Sequence, residues 1–287
     1  MADAVPSREG NLVLIAGAGR LPELVAGSLE RAGKPFRMIA LRGFTGRPLR
    51  GKADVTVDLL DLAATLAHLR SWAPAIVVPA GSVARPSAAA IFNAGAAWRN
   101  REVLREIAAG GDDRLLRAAV GLVEENGHRV LGVHEVAPDL LCPEGPLGSV
   151  KADGEALVSI RTGLSVLGAL SPFDVGQAVA VAGDRILAVE GPEGTDKMLA
   201  RARALGRKPF GRGRATAGTV LVKAPKVGQD LRIDLPAVGP RTIRNAHAAG
   251  CAGLALKAGS TLIIDRAATA AEADRLGLFV IGFGDTP

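Results

Sequence analysis

The feature that most limits the fold of this chain is a short apolar run that leads directly into a glycine turn and a helix start. Residues 12–17, Leu-Val-Leu-Ile-Ala-Gly, have the composition of a buried strand, and Ala18-Gly19-Arg20 follows without a break. Pro22 suits the first turn of the next helix, because the amide N–H that proline lacks has no helical partner there. This order of strand, turn and helix predicts a βα unit and therefore a parallel sheet.

The same pattern continues through the N-terminal half. Apolar runs and helical periodicity predict strands at residues 36–41, 54–57 and 75–79 and a helix at residues 59–70. The last of these strands ends in a second glycine turn, Gly81-Ser82-Val-Ala-Arg85. Because the carboxyl ends of parallel strands meet at one edge of a sheet, Arg20, Ser82 and Arg85 are expected to face one crevice. The alternative to such a crevice is that both turns are tight βα turns without a ligand and that Arg85 is a solvated loop residue.

Length and turn composition predict two domains. A chain of 287 residues exceeds the usual size of one domain. Three prolines and two glycines fall between residues 134 and 148, which marks the best domain boundary. We therefore predict an α/β fold with an N-terminal Rossmann-like parallel-sheet domain at residues 1–135, a linker at 136–148 and a C-terminal mixed α/β domain at 149–287.

Charge and aromatic content restrict the classes of ligand and the location. The net charge of +6 and a pI near 9.8 favour an anionic small molecule or an anionic membrane surface. Aromatic residues make up only 3% and Tyr is absent, so a base-stacking surface for nucleic acid is not expected. The sequence contains no uninterrupted run of about 18 apolar residues, which a transmembrane helix would need. These features predict a cytoplasmic protein with at most peripheral contact to the inner membrane.

The most distinctive chemistry lies in residues 229–236, Gln-Asp-Leu-Arg-Ile-Asp-Leu-Pro. A strand here would place Asp230, Arg232 and Asp234 on one face and apolar residues on the other, because strand side chains alternate. The two carboxylates suit a divalent cation, and the guanidinium, with Lys223 and Lys226 just before it in the sequence, suits a phosphate. The alternative is a solvent-facing edge strand with a self-neutralising row of charges.

A second polar string follows the hairpin expected within residues 178–189. Glu193-Gly194-Thr195-Asp196 leads into a helix for which Thr195 is the predicted N-cap. Capping explains Thr195, and a phosphate or sugar contact is the functional alternative for the whole string.

Several common catalytic motifs are missing from the chain. It has no G-x-S-x-G elbow, no phosphate loop ending in G-K-[ST] and no Cys-His nucleophile signature. Pro22 occupies the third glycine position of a dinucleotide fingerprint, which disfavours a nicotinamide or flavin enzyme. Cys142 and Cys251 match no metal-binding spacing and are predicted to be buried. Any chemistry therefore falls to carboxylates and a metal ion.

Five stretches taken together resemble the LpxI family, the UDP-2,3-diacylglucosamine pyrophosphatases of lipid A synthesis. They are residues 14–22, 81–86, 174–177, 193–196 and 229–236. The glycine turn is weakly diagnostic by itself, whereas the two motifs nearest the C-terminus, in this order, are specific.

The resemblance implies hydrolysis of UDP-2,3-diacylglucosamine to UMP and 2,3-diacylglucosamine 1-phosphate (lipid X), with water directed at the sugar-side phosphorus. It also implies a divalent cation, Mg²⁺ or else Mn²⁺, and a homodimer that holds the lipid product between two domains. Asp230 is the expected key acid and metal ligand, with Asp234 as its neighbour and Arg232 beside them. The expected substrate-binding residues are Gly17, Gly19, Arg20, Gly81, Ser82, Arg85, Gln177, Gly194, Thr195, Asp196, Lys223, Lys226 and Gln229. A non-catalytic protein that binds a nucleotide-sugar lipid is the alternative.

Overall fold

The structure is a computed structural model that describes residues 12–74, 76–83, 112–173, 175–206 and 218–284. The chain divides into two compact units. The first comprises Met1–Asp139 and Arg232–Asp234, and the second comprises Leu140–Leu231 and Leu235–Pro287. The division after Asp139 falls inside the segment 136–148, where the structure has a 3-10 turn at Pro138–Leu140 and a short strand at Gly145–Pro146.

A five-stranded parallel sheet forms the centre of the first unit. Its strands are β1 (Leu12–Ala16), β2 (Phe36–Leu41), β3 (Val55–Val57), β4 (Ile76–Ala80) and β5 (Arg129–Val130). Their spatial order is β3-β2-β1-β4-β5, and each neighbouring pair is parallel. This arrangement confirms the predicted parallel α/β class. The strand order reverses between β1 and β4, so the topological switch point of the sheet lies there.

Helices connect these strands. Within the described residues they are α1 (Leu21–Arg31), α2 (Arg47–Arg50), α3 (Leu62–Trp72), α4 (Asp112–Glu125) and α5 (Val133–Val136). Pro22 lies in the first turn of α1, as predicted. Asp61 caps α3 by accepting a 2.9 Å hydrogen bond from the Ala64 N–H, which places the start of this helix later than the expected residue 59. The core between helices and sheet includes Val13, Ile39, Leu69, Val77 and Val120.

A six-stranded mixed sheet forms the second unit. Its strands are β6 (Gly145–Pro146), β7 (Ala178–Ala182), β8 (Arg185–Val189), β9 (Thr219–Lys223), β11 (Cys251–Lys257) and β13 (Phe279–Phe283). The spatial order is β6-β13-β11-β9-β7-β8. The central strands β9, β11 and β13 are parallel, and β7 and β8 extend the sheet as an antiparallel hairpin. A separate parallel pair joins β10 (Ala237–Val238) and β12 (Leu262–Ile263).

Apolar clusters cover both faces of the mixed sheet. The described helices are α6 (Gly154–Leu170), α7 (Thr195–Gly206), α8 (Pro240–Ala248) and α9 (Arg266–Leu276). Leu221 packs in a cluster with Met198 of α7 and Ile243 of α8. Val222 packs on the other face with Ile160 of α6. Neighbouring residues of a strand point to opposite faces, so the two clusters bury β9 on both sides. Burial on both sides explains why its centre, Val220–Val222, is apolar without alternation.

Helix α6 with the 3-10 turn after it is the described segment that is long and apolar enough to cross a membrane. It spans Gly154–Phe173, has a mean hydropathy of 1.4 and is 28% buried. Its inner face packs closely on the mixed sheet: a Cβ at Gly163 would lie 2.5 Å from Cγ2 of Val222. A helix packed in the core of a protein can have the same length and composition as a membrane span. Because α6 contacts the mixed sheet, we interpret it as a helix packed on that sheet.

Both cysteines are buried, as predicted. Their exposures are 2% for Cys142 and 7% for Cys251, and burial raises the pKa to about 11 and about 12, respectively. At pH 8 the reactive thiolate should therefore amount to roughly one part in a thousand or less of either side chain. We expect Ellman's reagent to label the native protein far more slowly than the urea-unfolded protein. Equal rates in the two states would contradict this burial.

Candidate functional site

The two glycine turns of the first unit are joined side by side at the switch point of the parallel sheet. The turn after β1 and the turn after β4 form an antiparallel bridge between Ala18 and Ser82. The Ala18 N–H donates to the Ser82 carbonyl at 2.7 Å, and the Ser82 N–H donates to the Ala18 carbonyl at 3.1 Å. Gly17 adds a third bond, from its N–H to the Ala80 carbonyl at 2.8 Å. The structure thus brings the predicted residues Gly17, Gly19, Gly81 and Ser82 to one edge of the sheet.

Glycine is required at this junction because the two backbones approach each other closely. A Cβ at Gly17 would lie 2.7 Å from the Ser82 carbonyl oxygen. A Cβ at Gly81 would lie 2.6 Å from the Ala18 carbonyl oxygen, and Gly81 also has a φ of +91°. Side chains would separate the turns, so the glycines keep backbone amides close together at the carboxyl edge, where α/β sheets bind ligands.

Arg20 immediately precedes α1 and has helical backbone angles. Its guanidinium lies 3.7 Å from the Glu23 carboxylate, and 64% of the side chain is exposed. An exposed cation beside the start of a helix is suited to an anionic ligand, because the helix dipole adds to its charge. Arg85 lies outside the described residues.

Topology gathers polar residues at one edge of the mixed sheet in the second unit. Lys223 is the last residue of β9 and pairs with Ala178, the first residue of the antiparallel strand β7. Gln177 therefore precedes β7 at the edge where β9 ends. Glu190 directly follows β8 at the same edge, because Val189 pairs with Val179. The start of α7, at Thr195, completes the group.

A hydrogen-bond chain connects these residues. The Lys223 ammonium donates to Oγ1 of Thr195 at 2.7 Å, and the Thr195 hydroxyl donates to Oε1 of Glu190 at 2.9 Å. The second carboxylate oxygen of Glu190 accepts from the Gln177 N–H at 3.2 Å. Lys223 is only 7% exposed, so its charge is held at the sheet edge with little solvent. Gln177, Thr195 and Lys223 were predicted from the sequence and are brought together here.

Thr195 does not serve as the predicted N-cap. Helix α7 begins at Thr195 itself, and the hydroxyl is engaged by Glu190 and Lys223. The prediction was wrong because the Thr195 hydroxyl bonds to tertiary partners, Lys223 at the end of β9 and Glu190 directly after β8, instead of capping its own helix. Glu190 was missed by sequence reasoning, although an acid placed directly after an apolar strand was a usable signal.

Asp196 links the starts of α7 and α8. Its Oδ1 accepts a 2.7 Å hydrogen bond from the Asn245 amide, and its Oδ2 lies 2.7 Å from the Arg241 guanidinium. Asp196 and Asn245 also line an open groove of about 450 Å³ with Arg203 of α7. Both carboxylate oxygens of Asp196 thus have protein partners. Gly194, directly before Thr195, has a φ of +82° and open space at its Cα.

The segment after β9 forms a tight turn that was not expected. The Lys226 N–H donates to Oε1 of Gln229 at 2.9 Å, and the Gln229 N–H donates to the Lys226 carbonyl at 3.2 Å. The Val227 N–H donates to the Ser171 hydroxyl at 2.6 Å. These bonds direct the chain away from strand geometry before it reaches Asp230, which is half-buried.

Residues 229–236 are not a strand, so the predicted alternation is wrong. Leu231–Ile233 form a turn, and no strand begins until Ala237. Arg232 pairs with Glu124 of α4 at 2.7 Å, and Ile233 packs against the core of the first unit. These long-range contacts, together with Gly228 and Pro236 at the ends of the stretch, override the strand propensity of Leu-Arg-Ile. Asp234 is exposed.

The metal-ligand prediction, Asp230 and Asp234, is compatible with Mg²⁺ in the chemistry of its donors. Mg²⁺ usually binds one or two carboxylates and completes its six positions with waters and substrate phosphate oxygens. Within the part of the chain that the structure describes, no group of three or more His, Cys, Asp or Glu side chains is arranged to hold a metal ion. A metal here would therefore depend on substrate oxygens for several of its ligands.

The structure is that of a two-unit α/β protein, with glycine turns paired at the switch point of a parallel sheet and a buried lysine at the edge of a second sheet. Residues 11–140 match the LpxI N-terminal domain, and residues 143–281 match the LpxI C-terminal domain. The UDP-2,3-diacylglucosamine pyrophosphatase LpxI of Caulobacter vibrioides is 38% identical over 271 residues, which cover 94% of this chain and 96% of that protein. The chain belongs to the LpxI family, and the resemblance noted in its sequence is confirmed.

The chain has only weak similarity to two solved structures. The glycinamide-RNase-transformylase T of Mycobacterium tuberculosis has a TM-score of 0.25 at 18% identity, covering 63% of this chain and 44% of that one. A biotin carboxylase-beta-gamma-ATP complex from Campylobacter jejuni has a TM-score of 0.23 at 12% identity, covering 71% and 44%. The chain spans less than half of either protein, and similarities this low carry no argument.

Proposed function

We propose that this protein hydrolyses the pyrophosphate bond of UDP-2,3-diacylglucosamine, giving UMP and 2,3-diacylglucosamine 1-phosphate in lipid A biosynthesis. One observation carries the proposal: the match to both LpxI domains, with 38% identity to the Caulobacter pyrophosphatase over nearly the full length of both chains. The polar edges of the two units agree with it, because each presents groups that suit an anionic ligand.

The residues of the second unit suit a phosphate of the substrate. A pyrophosphate repels an attacking water through its negative charge, and the charge shifts towards the oxygen of the leaving group during cleavage. The Lys223 ammonium, which donates a hydrogen bond to Thr195, offers a positive charge in a site with little solvent, where it would stabilise the charge on the leaving oxygen most strongly. Lys226 and Gln229 follow on the next turn. In the first unit, Arg20 beside the start of α1 is also suited to an anionic group.

Asp230 and Asp234 are the residues that would hold Mg²⁺. When bound, the ion would neutralise phosphate oxygens and lower the pKa of a bound water. Asp230, which is half-buried, would orient the attacking water towards the sugar-side phosphorus. Arg232 would contribute positive charge nearby, although its guanidinium is paired with Glu124.

The proposed location and assembly follow from the substrate. A diacylated sugar nucleotide is amphiphilic and resides at a membrane surface, so a cytoplasmic enzyme must reach it there. We propose peripheral contact with the inner membrane, assisted by the net charge of +6, and a homodimeric state. Sedimentation velocity and flotation with anionic vesicles would measure these two properties.

The direct test is to incubate the purified protein with UDP-2,3-diacylglucosamine and to measure UMP. With Mg²⁺ present, we expect UMP and the lipid phosphate in equal amounts. EDTA should lower the rate at least tenfold, and added Mg²⁺ or Mn²⁺ should restore it, because a pyrophosphate needs charge neutralisation before water can attack. No release with any divalent ion would overturn the proposed reaction. Release that EDTA does not affect would overturn only the metal requirement.

A further inference from the structure

The hydrogen-bond chain at the edge of the mixed sheet ends on a carboxylate that none of the sequence motifs includes. We propose that Glu190 is a positioning residue: it sets the direction of the Thr195 hydroxyl and thereby fixes the Lys223 ammonium for the phosphate of the substrate. The inference rests on the proposed function for its kinetic part. The positioning of Lys223 by Glu190 and Thr195 does not depend on the reaction, because it concerns only contacts within the second unit.

The direction of each hydrogen bond follows from the chemistry of the three groups. An ammonium has donors only, so Oγ1 of Thr195 must accept from Lys223 across their 2.7 Å contact. A hydroxyl has one proton, and an ionised carboxylate accepts only, so the Thr195 proton must point at Glu190 across 2.9 Å. Glu190 thus holds the hydroxyl proton away from Lys223 and leaves a lone pair of Oγ1 facing the ammonium.

Glu190 is itself held firmly. Its backbone N–H donates to the Ala178 carbonyl at 2.9 Å, which extends the β7–β8 hairpin by one residue. Its second carboxylate oxygen accepts from the Gln177 N–H at 3.2 Å. Gly176 lies directly against it, because a Cβ there would be 2.1 Å from the Glu190 carbonyl oxygen. The carboxylate is therefore attached at both oxygens and at the backbone, which is what a positioning group requires.

Glutamine at this position would preserve the shape but not the function. The site requires two acceptors, one for the Thr195 hydroxyl and one for the Gln177 N–H. A glutamine amide offers one acceptor and one donor group, so either orientation places an NH₂ against a donor. The Thr195 hydroxyl would rotate or Gln177 would shift, and the hydrogen bond from Lys223 to Thr195 would no longer be held in one geometry.

A kinetic cycle tests the inference with Glu190→Gln, Thr195→Val and the double variant. We expect Glu190→Gln to lower kcat/KM for UDP-2,3-diacylglucosamine about 10- to 100-fold, the range found when a group that orients a ligand is lost. If Glu190 acts through Thr195, the double variant should match Thr195→Val within about threefold, because the two changes interrupt one chain. Losses that multiply independently would overturn the inference.

Glu272→Gln is the matched control. Glu272 lies on α9, outside the sequence motifs and outside the chain of Thr195 and Lys223, and its carboxylate pairs with Arg275 at 2.8 Å. It receives the same chemical change, and its kcat/KM should remain within about twofold of the unmodified protein, as expected for an ion pair at the surface of a helix. An equal loss in Glu190→Gln and Glu272→Gln would show a general effect of charge and would contradict a positioning role.

A measurement without substrate separates this inference from the proposed reaction. Trace acetylation followed by peptide mass spectrometry reports the reactivity of each lysine amine. Lys223 should react at least threefold faster in Glu190→Gln and Thr195→Val than in the unmodified protein, with exposed Lys151 as the internal reference. Glu272→Gln should leave the rate unchanged. Unchanged Lys223 reactivity in Glu190→Gln would overturn the positioning role even if UMP release were confirmed, and increased reactivity without UMP release would overturn only the reaction.

Discussion

Replacing Asp230 with asparagine should lower the rate of UMP release about a thousandfold while the protein still binds UDP-2,3-diacylglucosamine. Asparagine keeps the size of the side chain and one oxygen acceptor, but it lacks the negative charge that a divalent cation and a water-orienting group both need. Single-turnover assays with excess enzyme would measure the rate. Equilibrium binding of the substrate, measured by calorimetry in detergent, would show whether affinity is retained.

Two further variants show whether the loss of activity is specific to Asp230. Asp184→Asn, in the exposed turn between β7 and β8, removes the same charge away from the motif and should leave the rate within twofold. Asp234→Asn should cause a smaller loss than Asp230→Asn, because Asp234 is exposed and water can replace more of its role. An Asp230→Asn variant with full activity would remove this residue from the mechanism. A protein that binds the lipid but never releases UMP, in any variant, would be the non-catalytic alternative.

The parallel sheet of the first unit was predictable because its signals are local. β1 and β4 are continuous apolar runs of five residues, and each is followed at once by a glycine turn. A strand buried on both faces must be apolar throughout, and a helix start marked by Pro22 limits where the strand can end. The closeness of Gly17 to Ser82 then follows from the rule that the carboxyl ends of parallel strands share one edge.

The motif at residues 229–236 shows where local signals fail. Its alternation of charged and apolar residues fits a strand as well as any in the chain, yet the structure has a turn at Leu231–Ile233. The deciding contacts are the ion pair of Arg232 with Glu124 and the packing of Ile233 in the core of the first unit, both more than 100 residues distant in sequence. Periodicity cannot report partners at that separation.

The Glu190 carboxylate was missed for a related reason. The sequence separates Gln177, Glu190, Thr195 and Lys223 by up to 46 residues, and only the antiparallel placement of β7 between β8 and β9 brings them to one edge. Thr195 carried a good capping signal, which led to the wrong local role. The residue types of the site were readable from the sequence, whereas their partners required the sheet order.

Replacing Gly81 with alanine should destabilise the protein by about 3 kcal/mol and reduce activity strongly. Alanine at a φ of +91° costs about 1 to 2 kcal/mol, because its Cβ crowds the backbone in the left-handed region. The same Cβ would lie 2.6 Å from the Ala18 carbonyl oxygen and 2.8 Å from Cγ of Pro22, and relieving such overlap costs a further 1 to 3 kcal/mol. Urea unfolding of the purified variant would measure the change in the free energy of unfolding.

Gly33→Ala separates backbone strain from close approach. Gly33 also has a positive φ, +63°, but a Cβ there meets nothing within 4 Å, so its substitution should cost only the backbone strain of about 1 kcal/mol. The excess cost at Gly81 measures the contact between the two turns, since only that site forces the Ala18–Ser82 bridge apart. The Gly81 variant should also raise KM at a temperature where it remains folded, because both turns, and Arg20 directly after the first of them, would move. Equal destabilisation at Gly81 and Gly33 would mean that the turns adapt without strain, and a paired, rigid edge would then not be the reason for glycine at this position.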